Sequence, residues 1–279
     1  MKWRGRSGSG NILDRRGMSR GGMAAGGGIG TVVIVIIILL LGGDPTQLLN
    51  TPPGDSGNEQ FSTTAEEDSM AQFVSVVLKD TEIIWEKIFS ESGSSYRKPT
   101  LVLFRGEVQS ACGFASAASG PFYCPADEMV YIDLSFCEQL RTKFGAHGDF
   151  AIAYVIAHEI GHHVQNLLGI LGQVNDQRSR MSETRANQLT VRLELQADFL
   201  SGMWAHYAQK MLNTLEAGDP EEAMNAAAAV GDDALQMKSQ GRIVPDAFTH
   251  GSSEQRKEWF RKGFKTGDIK QGDTFTSDL

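Results

Sequence analysis

The sequence predicts an α+β fold, on three observations. A stretch of helical periodicity opens the folded part of the chain. Short β-branched or apolar runs bounded by Gly, Pro and Asp follow it. Long helical patterns fill the remainder.

The elements can be justified in order. Residues 1–20 hold Lys2, Arg4, Arg6, Arg15, Arg16 and Arg20 against one acid, Asp14, a net of +5. Residues 21–43 carry no charge, and 24–43 form a 20-residue apolar run, "AAGGGIGTVVIVIIILLLGG". A helix of that length rises about 30 Å, the thickness of a bilayer's hydrocarbon core. The basic flank precedes it, so residues 1–23 are expected in the cytoplasm and the rest outside, on the periplasmic side of a single-pass inner-membrane anchor. A cleaved signal peptide has a similar shape, but no small-x-small cleavage site follows the apolar run. Residues 44–68, rich in Gly, Pro, Ser, Thr and acid, read as a flexible linker. The folded domain is then expected over 69–279.

Within it, "MAQFVSVVLKDTEIIWEKIF" places Phe73, Val77, Ile84 and Ile88 at helical spacings. "YRKPTLVLFRG", "ACGFAS" and "MVYIDLSF" read as strands of a small sheet joined by hairpin-like turns. A helix is predicted over 149–169, capped near Gly148 and Asp149 and closed by Gly169. A second starts after Ser182, and a third spans about 220–238. A fourth starts at Ser252, where Gln255 gives capping-box spacing.

The chain's net charge is −8, so the part beyond residue 20 carries −13. An acidic body argues against nucleic acid as the main partner, because binding a phosphate backbone needs a basic surface. Of the three cysteines, Cys112 and Cys124 flank a Gly/Ser-rich turn that permits a disulfide outside the cytoplasm, with Cys137 left as a small buried hydrophobe. Three unrelated buried thiols are the alternative. No C-x-x-C pair is present, so a cysteine zinc cluster is not expected.

The chemistry concentrates in "AHEIGHHVQN". His158, Glu159 and His162 match H-E-x-x-H. Residues four apart on a helix differ by about 40° in azimuth, so both imidazoles reach one Zn²⁺. Glu159 is placed to take a proton from a zinc-activated water without being a ligand. The extended pattern with a third histidine is absent, since Gln165 and Leu168 stand where its glycine and histidine would be. The third ligand is therefore sought in "LELQADF": Glu194 as ligand, and Asp198, one turn later, as acceptor for the far nitrogen of a ligand histidine. His163 lies about 140° from His158 and reads as a flanking polar residue. His147 and His206 read as structural or exposed.

"VQSACGFASAASGPFYCPADEMVYIDLSF", "VIAHEIGHHVQN", "ELQADFLSG", "FTHGSSEQRKEWFRKGF" and the N-terminal "MKWRGR…DRRG" together resemble the neutral zinc metallopeptidase family of bacterial membrane-anchored proteins, the YpfJ-like group. The resemblance covers nearly the whole chain. It implies a zincin-like domain with a small antiparallel sheet, metal ligands His158, His162 and Glu194, the base Glu159 and the supporting Asp198. This is also the ligand arrangement of thermolysin-like peptidases. The tail segment resembles the histidine–arginine segment of heat-shock-type membrane peptidases, which implies a catalytic His250 near the zinc or the oxyanion, supported by Arg256. The expected activity is zinc-dependent endopeptidase cleavage of protein or peptide substrates. Residues 112–116 are the expected edge strand for an extended substrate. The rival readings are a zinc-binding chaperone or interaction module without turnover, and a purely structural zinc site. Glu159 argues against the first, since a structural site needs no base; a structural site usually closes with four protein ligands, and no fourth is evident in the sequence.

Overall fold

The structure, a computed structural model, describes residues 1–17 and 63–278. The expected anchor at 24–43 and most of the expected linker lie outside the described residues. No helix among the described residues is long and apolar enough to cross a membrane.

Helix α1 (Ala65–Glu91) starts at a full capping box: Thr64 accepts from the Glu67 N–H and Glu67 reaches back to the Thr64 N–H. Folded structure thus begins a few residues before the expected boundary at 69. The buried face of α1 includes Phe73, Val77, Ile84 and Trp85. It also carries the buried acids Asp80 and Glu82, and these hold the N-terminal residues. Arg6 grips Asp80 in a bidentate pair at 2.6 Å for both bonds. Ser9 and Asn11 both donate to Glu82 Oε1.

The N-terminal residues also enter the sheet. Strand β1 (Ile12–Asp14) pairs in parallel with β2 (Thr100–Phe104), which pairs in parallel with β6 (Met129–Asp133). Strand β5 (Phe122–Cys124) closes the other edge, antiparallel to β6. Residues 1–17 pack into the same body as 63–278. Two of their basic residues form ion pairs within that body, Arg6 with Asp80 and Arg16 with Asp14 and Asp68. The sheet is mixed rather than antiparallel. Four of the five residues in each of β2 and β6 are buried, which is how parallel strands covered on both faces read. Among the described residues only the hairpin of β3 (Glu107–Ser110) and β4 (Gly113–Ser116) is wholly antiparallel.

After β6 come α2 (Leu134–Thr142), α3 (Asp149–Leu167), α4 (Ile170–Arg178), α5 (Glu183–Tyr207), α6 (Asp219–Ala229), α7 (Asp232–Gln240) and α8 (Ser253–Thr266). The predicted third run is two helices. It breaks at Gly231, where a Cβ would lie 2.5 Å from Ser253 N, so the α8 cap packs directly against the break. Helix α3 runs through the core with Phe150, Ala153, Ile156, Ile160 and Val164 buried. Its first turn receives the Met1 ammonium on Asp149 at 2.6 Å, and the Phe150 N–H donates to Glu222. Helices α5 and α8 meet where Gly202 lies against the Phe260 carbonyl and Gly263 against the Phe199 carbonyl. A Cβ at either glycine would come within 2.0 Å of that oxygen. The mixed α+β architecture, with its small sheets and eight helices among the described residues, fits a zincin-like domain.

Candidate metal centre

Helices α3 and α5 cross with Gly161 against Ala197, where a Cβ would sit 3.0 Å from the Ala197 carbonyl oxygen. Backbones this close bring one turn of each helix face to face. His158 and His162 of α3 thereby meet Glu194 of α5. Glu194 Oε2 lies 3.2 Å from His158 Nε2 and 3.5 Å from His162 Nε2. The donor atoms of the three residues all lie within 4.8 Å of one another.

The far side of each ring is held. His158 Nδ1 lies 2.8 Å from Asp198 Oδ1. Asp198 is fully buried and also accepts from Tyr154 Oη at 2.6 Å, from Arg256 Nε at 2.8 Å and from Arg256 Nη2 at 3.0 Å. Burial alone would raise its pKa. The Arg256 and His158 charges overcome that and hold it at about 2. The same balance, burial opposed by Asp198 and Glu194, pushes His158 up to about 10. Glu194, although buried, is held well below the usual carboxylate range by His162 and His158. His162 Nδ1 lies 2.9 Å from Gln165 Oε1.

These residues fit a zinc ion. Two imidazole nitrogens and one carboxylate oxygen converge, both outer ring nitrogens are engaged elsewhere, and Arg256 balances only one of the two buried acids. Glu159 sits beside this group, 9 % exposed, with no hydrogen bond or ion pair among the described residues. A second acidic cluster, Asp149, Asp219 and Glu222, is engaged by the Met1 ammonium and the α3 N-terminus instead.

His250 lies in the loop before α8. Its Nδ1 is 3.2 Å from Asp232 Oδ1, while Asp232 Oδ2 accepts the N–H groups of Thr249, His250 and Gly251 at 2.6, 2.6 and 3.0 Å. Burial lowers the His250 pKa, but Asp232 and then Glu194 raise it to a net upward shift. Arg256 lies at the base of the centre, on Asp198, with its Nη2 3.1 Å from Tyr154 Oη.

His163, expected as a flanking polar residue, is fully buried and structural: Nε2 donates to the Arg97 carbonyl at 2.6 Å and Nδ1 accepts from Tyr123 Oη at 3.0 Å. His206 bonds the Phe264 carbonyl, and His147 is exposed. Cys112 and Cys124 form a disulfide, and Cys137 is buried with its thiol pushed up to about 12. The expected edge strand at 112–116 pairs only with β3. The outer strand of the main sheet that adjoins α3 is β5, tied there by Tyr123 Oη to Asn166 and His163. Gln165, Tyr154 and Asp232 were not singled out as site residues by sequence. Each acts through a partner far along the chain, and the sequence signal available was a polar residue inside or opening an apolar helix.

The profile of the family described as "Putative neutral zinc metallopeptidase" matches residues 1–275. The uncharacterized protein YpfJ of Escherichia coli K12 is 47% identical over 288 residues, spanning all of both chains. The uncharacterized proteins Mb2605 of Mycobacterium bovis and Rv2575 of Mycobacterium tuberculosis H37Rv are each 43% identical over 206 residues, covering 70% of this chain and 67% of theirs. No solved structure matches the chain. With this match over nearly its full length and these relatives, the chain belongs to that family.

Proposed function

We propose that the protein is a zinc-dependent endopeptidase whose ligands are His158, His162 and Glu194. The observation that carries this is the convergence of two Nε2 atoms and Glu194 Oε2 beside an uncommitted carboxylate, Glu159. Zinc bound there supplies Lewis acidity to a water and to the substrate carbonyl. Glu159 takes a proton from the attacking water and delivers it to the leaving amine. His250, oriented by Asp232, donates to the oxyanion of the tetrahedral adduct. Arg256, Asp198 and Tyr154 keep His158 in the tautomer whose Nε2 lone pair faces Glu194. An extended substrate adds to the edge of β5 that pairs with no strand among the described residues, next to the ligand helix, with backbone hydrogen bonds giving affinity.

The Cys112–Cys124 bridge supports a location on the oxidising side of the cell membrane. The pairing of residues 1–17 with 63–278 supports both lying on the same face of any membrane that residues 24–43 enter.

The test is hydrolysis of an unfolded protein by the full chain, stripped with a chelator and then reloaded with zinc. Cleavage that disappears on stripping, returns with zinc and is absent from Glu194→Gln supports the proposal. Zinc binding with no cleavage under any condition favours the chaperone-like reading. Failure to bind zinc contradicts both.

A further inference from the structure

We infer that Gln165 is a positioning residue that clamps the two ligand-bearing helices together and fixes the tautomer of His162. The assignment rests on the zinc reading above for its purpose, but on hydrogen-bond polarity for its content. Gln165 is fully buried in α3, three residues after His162. Its Nε2 donates to the Leu193 carbonyl at 2.7 Å, the peptide group directly before Glu194. A carbonyl can only accept, so the amide nitrogen must face it. The opposite end, Oε1, can then only accept. It faces His162 Nδ1 at 2.9 Å, so Nδ1 carries a proton, and in the neutral ring the Nε2 lone pair is left on the side of Glu194.

A second carbonyl gives the same polarity from the far end of the chain. Gln165 Nε2 also lies 3.1 Å from Gln196 Oε1, and Gln196 Nε2 donates to the Gly272 carbonyl at 3.0 Å. Flipping either amide would set oxygen against oxygen. Gly272 presses on Phe199 so closely that a Cβ would come within 2.5 Å of the ring. The segment around it is anchored by Arg192, whose guanidinium donates to the carbonyls of Thr274, Phe275 and Ser277, and whose own carbonyl accepts from Thr274 Oγ1 at 2.6 Å. One amide therefore touches the imidazole of one ligand and the backbone beside another, and the C-terminal segment braces it through Gln196.

The experiment uses the full chain and two readouts. Zinc affinity is measured by chelator competition, and the His162 ring by its imidazole ¹⁵N and ¹³C shifts in the metal-free chain, titrated until the ring is neutral. The wild type is expected to show the Nδ1–H form. Gln165→Met, near-isosteric and without acceptor or donor, is expected to lose that preference and about 10- to 100-fold in zinc affinity. Gln165→Glu is expected to keep the tautomer, because the acceptor remains, and to bind zinc between the two, because the donor to Leu193 is gone. Gln196→Met is expected to cost less than Gln165→Met. An Nε2–H ring in the wild type overturns the inference without any variant being needed. So does a folded Gln165→Met chain with wild-type zinc affinity. A wild-type chain that binds no zinc defeats the zinc reading instead, and the ring shifts still decide the tautomer.

Discussion

Gly161 lies against Ala197 so closely that a Cβ there would fall 3.0 Å from the Ala197 carbonyl oxygen, tighter than a methyl group ordinarily packs. This contact sets how near His158 and His162 come to Glu194. Gly161→Ala gains about 1 kcal/mol of helix propensity and meets an overpacking cost of about 1–3 kcal/mol. The expected result is a small net change in unfolding free energy, with a larger fall in zinc affinity as the helices part. Denaturant unfolding and chelator competition on the same variant check it; unchanged affinity contradicts the spacing argument.

Arg256 and Asp198 form a buried pair that also carries Tyr154 and His158. Arg256→Met leaves an unbalanced buried carboxylate. The expected loss is about 3–5 kcal/mol of stability, read from urea unfolding of the metal-free chain. Asp198→Asn with Arg256→Met is expected to recover part of it, because the orphaned charge is gone.

His250 gives a pH dependence of definite sign. Burial opposes its charge, and Asp232 and Glu194 favour it against Arg256, with a raised pKa as the outcome. Stability from the charged His250–Asp232 pair is therefore complete below the ordinary histidine pKa of about 6.5 and is lost as pH rises through the raised folded value. If protonated His250 serves the oxyanion, Asp232→Asn moves the alkaline limb of the kcat/KM profile to lower pH. An unmoved limb removes His250 from that role.

Much of the centre was legible in sequence because it depends on helical spacing alone. His158 and His162 recur at four residues, and Glu194 and Asp198 do the same between buried Leu193, Leu195, Ala197 and Phe199. The Cys112–Cys124 bridge was legible as well, since only a short turn separates its ends. What escaped depends on tertiary pairing. Gln165 looks like a missed glycine until the Leu193 carbonyl is beside it. Asp232 looks like a helix-start acid until three backbone N–H groups from 249–251 converge on it. The ion pairs of Arg6 and Arg16 were not legible either, because their partners Asp80 and Asp68 lie more than 50 positions away.

Thiol counting tests the disulfide and the placement of the body together. The chain isolated from its host without reductant is expected to show no reactive thiol when native, because Cys137 is buried with its pKa near 12, and one when unfolded. Reduction is expected to cost about 3 kcal/mol of stability. A cysteine introduced as Ser7→Cys, at an exposed N-terminal position, is expected to react in intact cells with a thiol reagent confined to the oxidising side. Three free thiols after unfolding, or protection of residue 7 while the disulfide is intact, contradict the shared face.

The most direct test compares zinc-loaded wild type with Glu159→Gln on an unfolded protein substrate. Both are predicted to bind one zinc per chain with similar affinity, since Glu159 is not among the converging ligands. Cleavage by the variant is predicted to fall about 10²- to 10⁴-fold. Equal cleavage by the two chains would contradict the role assigned to Glu159 and, with it, the mechanism built around this centre.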